Sequence, residues 1–201
     1  MLRFLVPVAP FLALAAAYGY EEGLNRQTKG FRWAGQVFLG LLLLSNACLF
    51  FEVGDVLSIF RVPLGFETRG EYLSEKLNYF NAATFVNTLP PDSLTYVVGD
   101  QRGYYYNNPV LVTPVFNTNP LTEWANQASS AEELATHLKT QRITHLLVND
   151  SEFKRLDSVY HLFPFTAKGQ ANWDALRSHL TQILYKDRDC EVLALPSGGG
   201  R

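Results

Sequence analysis

Apolar positions along the chain change character near residue 60. Before that point they come in long runs; after it they recur at helix and strand spacings among charged residues. Leu2–Tyr20, LRFLVPVAPFLALAAAYGY, carries Arg3 as its only charge, and Trp33–Phe51 has only Gln36, Ser45 and Asn46 as polar interruptions. Each run is 19 residues long, close to the roughly 20 that cross a hydrocarbon core about 30 Å thick. Aromatic residues stand at their ends (Tyr18 and Tyr20, Phe31 and Trp33, Phe50 and Phe51), where rings collect at a membrane–water boundary. Pro7 and Pro10 are tolerated in a membrane helix whose neighbours re-satisfy the backbone. The pattern predicts two transmembrane helices, over about residues 2–20 and 33–53. A signal peptide is the competing reading of the first run, given Arg3 and the small residues Ala13–Ala17. The second run follows only 13 residues later, and a secreted domain has no need of it, so two spans are preferred.

Residues 61–196 read as one α/β domain, followed by a glycine-rich tail over 197–201 that is expected to be disordered. Tyr72, Leu73, Leu77, Phe80, Ala83, Phe85 and Val86 place a helix over Glu71–Leu89, stopped by Pro90-Pro91. Leu94–Val98, Val110–Phe116, Ile143–Val148 and Glu191–Leu195 read as strands. Asn119-Pro120 opens a short helix. Ser130 with Glu133 forms a capping box for a helix over Ala131–Arg142. Ser151–Tyr160 reads as a short helix and Trp173–Tyr185 as a longer one with Trp173, Leu176, Leu180 and Leu184 on one face. Alternation of helix and strand predicts a three-layer α/β domain with a mainly parallel sheet.

Composition narrows the functional classes. A net charge of −2 leaves no basic surplus for nucleic acid. The two cysteines, Cys48 and Cys190, sit in unlike regions and are not expected to pair. His137, His145, His161 and His179 lack metal-ligand spacing, and neither a cofactor nor a metal is expected. Arg26, Lys29 and Arg32 crowd the loop between the runs. The positive-inside rule then puts that loop in the cytoplasm and the domain outside it.

Candidate chemistry lies at the strand ends, where open α/β sheets place ligands: Asp100 and Arg102 after one strand, Asn117 after another, Asn149 and Asp150 after a third. Tyr104 and Tyr105 offer rings with hydroxyl tips suited to a sugar or lipid headgroup. Gly99–Gly103 lacks the spacing of a phosphate loop. Asn149-Asp150-Ser151 matches the glycosylation triplet. No residue pattern marks a nucleophile with its base.

Three stretches, GFETRGEYL (Gly65–Leu73), LPPD (Leu89–Asp92) and GDQRGYYYNNPV (Gly99–Val110), together with ITHLLVND (Ile143–Asp150) and the opening Arg3–Gly19, resemble the C-terminal part of bacterial multispanning glycosyltransferases of the GT-C type. These are relatives of protein mannosyltransferases and aminoarabinose transferase that use polyprenyl-phosphate sugars. The resemblance implies a bacterial inner membrane, an extracytoplasmic domain, and partners among the bilayer, further spans of a glycosyltransferase, and a glycan or polyprenyl-linked sugar. Such enzymes carry their catalytic acid in a first outer loop that this chain does not contain, so no residue here receives the catalytic role. The expected function is to assist acceptor binding or active-site closure. The alternative is a membrane-anchored, non-enzymatic module that binds a protein or cell-envelope glycan.

Overall fold

The computed structural model describes residues 8–25 and 28–196. The expected start of the first span, Arg26 and the 197–201 tail lie outside the described residues. The chain divides into two compact units, Met1–Glu67 and Thr68–Arg201.

The first unit holds α1 (Ala9–Asn25) and α2 (Lys29–Val56). At 1.5 Å per residue, the 28 residues of α2 extend about 42 Å, more than a hydrocarbon core about 30 Å thick. Its apolar side chains are bare, Phe38 and Leu41 among them. The Asn46 amide, which would be costly in an apolar medium, turns back to the Leu42 carbonyl at 2.9 Å. Among the described residues α2 is the one helix long and apolar enough to cross a membrane. The described α1 is 17 residues, about 26 Å, and it runs past Tyr20 through Glu21 and Glu22. A second span is therefore not shown.

The second unit is built on a five-stranded sheet ordered β2-β1-β3-β5-β4. Its strands are β1 (Thr95–Val98), β2 (Val110–Leu111), β3 (His145–Asn149), β4 (Gln182–Lys186) and β5 (Cys190–Ala194). The pairs β1–β2 and β1–β3 are parallel, whereas β3–β5 and β4–β5 are antiparallel. The sheet is thus evenly mixed, not mainly parallel. The cause is the stretch read as the end of a long helix. The α-helix α8 (Ala167–Ala175) gives way to a π turn, Leu176–Leu180, and the chain then enters β4. Asp187 makes the turn that pairs β4 with β5, its Oδ1 accepting from the N–H groups of Asp189 (2.9 Å) and Cys190 (2.7 Å). Pairing with a buried neighbour outweighs the helical spacing of Leu180 and Leu184.

Side chains alternate across the strands and feed two apolar clusters. Tyr96, Val98, Leu146, Val148 and Leu193 pack with residues of α5 (Pro120–Gln127), α6 (Ala131–Thr140), α7 (Asp150–Tyr160) and α8. Val97, Leu147 and Val192 pack with Ala82, Ala83 and Val86 of α4 (Phe80–Val86). The helix expected over Glu71–Leu89 is in two pieces, α3 (Arg69–Lys76) and α4, because Leu77 is extended at φ −119°, ψ 108°. That break brings Asn78 and the buried Tyr79 to the strand ends. Thr68 and Glu71 form a reciprocal capping box on α3. At α6 only half of the expected box forms: Ser130 Oγ accepts from Glu133 N, but the Glu133 carboxylate accepts from Ser129 N. The strand expected over Val110–Phe116 shrinks to two residues between Pro109 and Pro114, since proline cannot donate to a ladder.

Candidate functional site

From β1 the chain passes to β2 on one side, then returns to β3 on the other. The carboxyl ends of β1 and β3 therefore flank the point where strand order reverses, the usual position of a ligand crevice in an open α/β sheet. The residues that follow these two strands are Gly99-Asp100 and Asn149-Asp150.

Gly99 makes the turn. Its φ of +84° is left-handed, and a Cβ there would stand 2.6 Å from the Asn149 carbonyl oxygen and 2.9 Å from Phe153 N. Only glycine lets β1 leave the sheet this close to the start of α7. Asp100 comes next, 4% exposed. Its Oδ1 accepts from Arg102 N (2.9 Å) and Arg102 Nε (2.8 Å), and its Oδ2 accepts from Arg102 Nη2 and from Asn149 Nδ2 (3.2 Å). Those four donors occupy all the acceptor positions of a carboxylate. Asp100 thus anchors both the Arg102 side chain and the end of β3.

The Arg102 guanidinium lies 4.2 Å over the Tyr79 ring, donates from Nη2 to Asn78 Oδ1 at 3.2 Å, and has a side chain 41% exposed. Its Nη1 donates to no described residue. The bond to Asp100 is the main cause that raises the Arg102 pKa above its ordinary value. Asn149 caps α7, its Oδ1 accepting from Glu152 N (3.2 Å) and Ser151 Oγ (3.0 Å), and Ser151 Oγ accepts from Asn78 Nδ2 at 2.9 Å. Beside this network is an open groove of about 220 Å³ lined by Gly99, Asp100, Gln101, Arg102, Glu152 and Arg155. Glu152 is bonded to Arg155 there, with 2.9 Å to Nε. Both acids that line the groove are thus paired with an arginine, Asp100 with Arg102 and Glu152 with Arg155.

Of the residues expected at the strand ends, Asp100, Arg102 and Asn149 come together. Asp150 does not join them. It begins α7 facing away, paired with Arg177 through two bonds of 3.1 Å, and Arg177 also holds the buried Glu191. Burial opposes the charge on Arg177, but its bonds to Asp150 and Glu191 prevail and raise its pKa. Tyr105 packs against Phe80, ring centroids 5.2 Å apart, and its carbonyl accepts from Asn87. Tyr104 stands bare at 80% exposure. Asn117 helps line a void of about 10 Å³ with Gly99, Asp100 and Gln101, room for about one water. Asn78 and Tyr79 touch Arg102 and carry no signal in the sequence, because both fell within the stretch expected to be one continuous helix, Glu71–Leu89, and outside its apolar stripe. Asn149 is fully buried, so the glycosylation triplet is closed in the folded domain.

No protein-family model matches the chain, and no curated protein matches it. Among solved structures it is similar to the C-terminal globular domain of an oligosaccharyltransferase from Archaeoglobus fulgidus, with 10% identity and a TM-score of 0.41, over 59% of this chain and 97% of that one.

Proposed function

We propose that this chain is the membrane-plus-soluble C-terminal portion of a polyprenyl-phosphate-sugar-dependent glycosyltransferase, and that its domain assists acceptor binding or closure over an active site supplied by other spans. The observation that carries the reading is the Asp100–Arg102–Asn149 network at the point of strand reversal. The run Gly99–Val110, which resembles the family, supplies Gly99, Asp100 and Arg102 to that network, and the half-exposed guanidinium borders an open groove. In this reading Arg102, held by Asp100 and Asn78, is the ligand contact, and hydroxyl or carboxylate oxygens of an acceptor are the groups it suits. The two apolar clusters support a three-layer domain. The first apolar run completes a second span, and Lys29 and Arg32 favour a domain outside the cytoplasm of a bacterial inner membrane.

The test is sugar turnover in membranes. Membranes that carry those other spans are expected to consume the polyprenyl-phosphate sugar when the chain is present and not when it is absent, and the purified chain alone to consume none. Arg102→Ala removes a charge-assisted hydrogen bond, a contact worth about 1.5–3 kcal/mol or roughly 10–150-fold in rate. Equal turnover with and without the chain overturns the reading. Unchanged turnover in Arg102→Ala, with the protein present at normal level, removes Arg102 as the contact.

A further inference from the structure

We propose that the domain seats the β2 side of its strand ends on the surface of a lipid bilayer through Tyr104 and Phe116. The inference rests on the span reading above, which places a bilayer near the domain. Phe116 is 90% exposed and Tyr104 80%, more than any other large apolar side chain of the second unit. The two residues belong to different loops, after β2 and after β1. Val115 N donates to Gln101 Oε1 at 3.1 Å, which ties those loops together. Tyr104 is backed edge-on by Tyr105 at 5.0 Å, and Tyr105 by Phe80, so the ring is held out on a packed base. Leu111, 41% exposed, and the exposed Pro114 add apolar surface to the loop that carries Phe116.

Three features select a bilayer as the occupant. Thr68, which opens the domain, follows Val56 of α2 by twelve residues, a tether that reaches at most about 40 Å; a domain of this size is roughly 35 Å across. The loop segment 101–118 contains no aspartate or glutamate, and its one cation, Arg102, is paired with Asp100, so no unpaired charge has to leave water when the rings enter the apolar boundary. A second copy adding a strand is disfavoured, because β2 is two residues long and Pro109 and Pro114 flank it. Aromatic rings beside a cation are what a membrane–water boundary accommodates.

The experiment uses the full chain with Cys48→Ala and one reporter cysteine, Asn117→Cys beside the patch or Gln141→Cys away from it; Cys190 is buried and stays. Each is coupled to an environment-sensitive fluorophore and reconstituted in phospholipid nanodiscs. The label at 117 is expected to be quenched by spin-labelled lipid and shielded from aqueous iodide, and the label at 141 to behave oppositely. Adding Tyr104→Ser and Phe116→Ser, which alter exposed side chains only, should lower the lipid-to-aqueous quenching ratio at 117 roughly tenfold. A label at 117 as open to iodide as that at 141 overturns the proposal, and so does equal shielding in detergent without lipid, which indicates a protein neighbour. Flotation with lipid vesicles separates the two readings. A chain that fails to float takes the span and the seat down together, whereas a floating chain with residue 117 open to iodide leaves the span standing and ends the seat alone.

Discussion

Asn149→Asp tests the strand-end network with a minimal change in shape. Asparagine and aspartate are equally good helix caps, so Oδ1 can still accept from Glu152 N and Ser151 Oγ. The altered atom is Nδ2, which now donates to Asp100 Oδ2 at 3.2 Å. Its replacement puts two carboxylates at that separation, one residue fully buried and the other 4% exposed. At an effective dielectric of about 20, two such charges repel by roughly 5 kcal/mol, offset in part by Arg102. A protonated pair avoids the repulsion, and holding a carboxyl protonated at pH 7 costs about 1.4 kcal/mol per unit above 3.9, or about 4 kcal/mol. The loss at neutral pH should therefore lie between about 1.5 and 4 kcal/mol, a large share of an ordinary stability of 5–15 kcal/mol. The sign with pH follows from linkage. The shared carboxyl in the folded variant has a pKa raised above its unfolded value, so the folded state binds more protons, and stability returns as pH falls toward that value. Urea unfolding of the full chain in detergent, followed by tryptophan fluorescence at pH 7 and about pH 5 with wild type as reference, reads both effects. A variant as stable as wild type at pH 7, or a deficit that does not shrink on acidification, would refute the facing of Asn149 and Asp100.

Gly99→Ala combines a left-handed φ, costing about 1–2 kcal/mol, with a contact against backbone atoms costing about 1–3 kcal/mol; the same unfolding assay should lose their sum. Thr68→Ala removes the hydroxyl half of the α3 capping box. The Glu71 pKa, held low by the Thr68 N–H and hydroxyl, should move up toward its ordinary value in a carboxyl NMR titration. Burial pushes Tyr185 up to about 12, with help from Asp187, and raises Tyr106 and Cys190 as well. The folded state keeps protons that the unfolded chain releases from 9.0 for cysteine and 10.0 for tyrosine, so stability is intact below those values and lost as pH rises above them. The last part of the tyrosinate absorbance should then appear only together with unfolding, and complete tyrosine ionisation in a chain that is still folded would contradict it.

Local chemistry made several elements legible. Asn119-Pro120 and Ser130 stand at their helix starts because capping needs only neighbouring residues. The apolar stretches around Thr95–Val98 and His145–Asn149 became strands because both are buried on each face of the sheet. Where tertiary contacts compete, the local pattern failed. Leu176, Leu180 and Leu184 keep helical spacing, yet Gln182–Lys186 pairs with β5, a partner visible only once the Asp187 turn has formed. The capping pair Thr68-x-x-Glu71 was present in the sequence, masked by a helix assigned to begin at Glu71.

The site follows the same division. Asp100, Arg102 and Asn149 were legible because strand ends carry ligand chemistry in this type of sheet. Their neighbour Asp150 was misleading: one step further into α7 rotates a side chain by about 100°, away from Asp100 and onto Arg177. Asn78 and Tyr79 enter from a helix break more than 20 residues upstream of Arg102, and no periodicity reports that. The break and the arginine explain each other. Arg102 needs the Asn78 oxygen and the Tyr79 face to stay extended over the groove, and an unbroken helix through Leu77–Phe80 would present neither in that position. A sequence reading that ranks residues by type finds the ion pair and misses the two side chains that, with Asp100, hold the guanidinium in place.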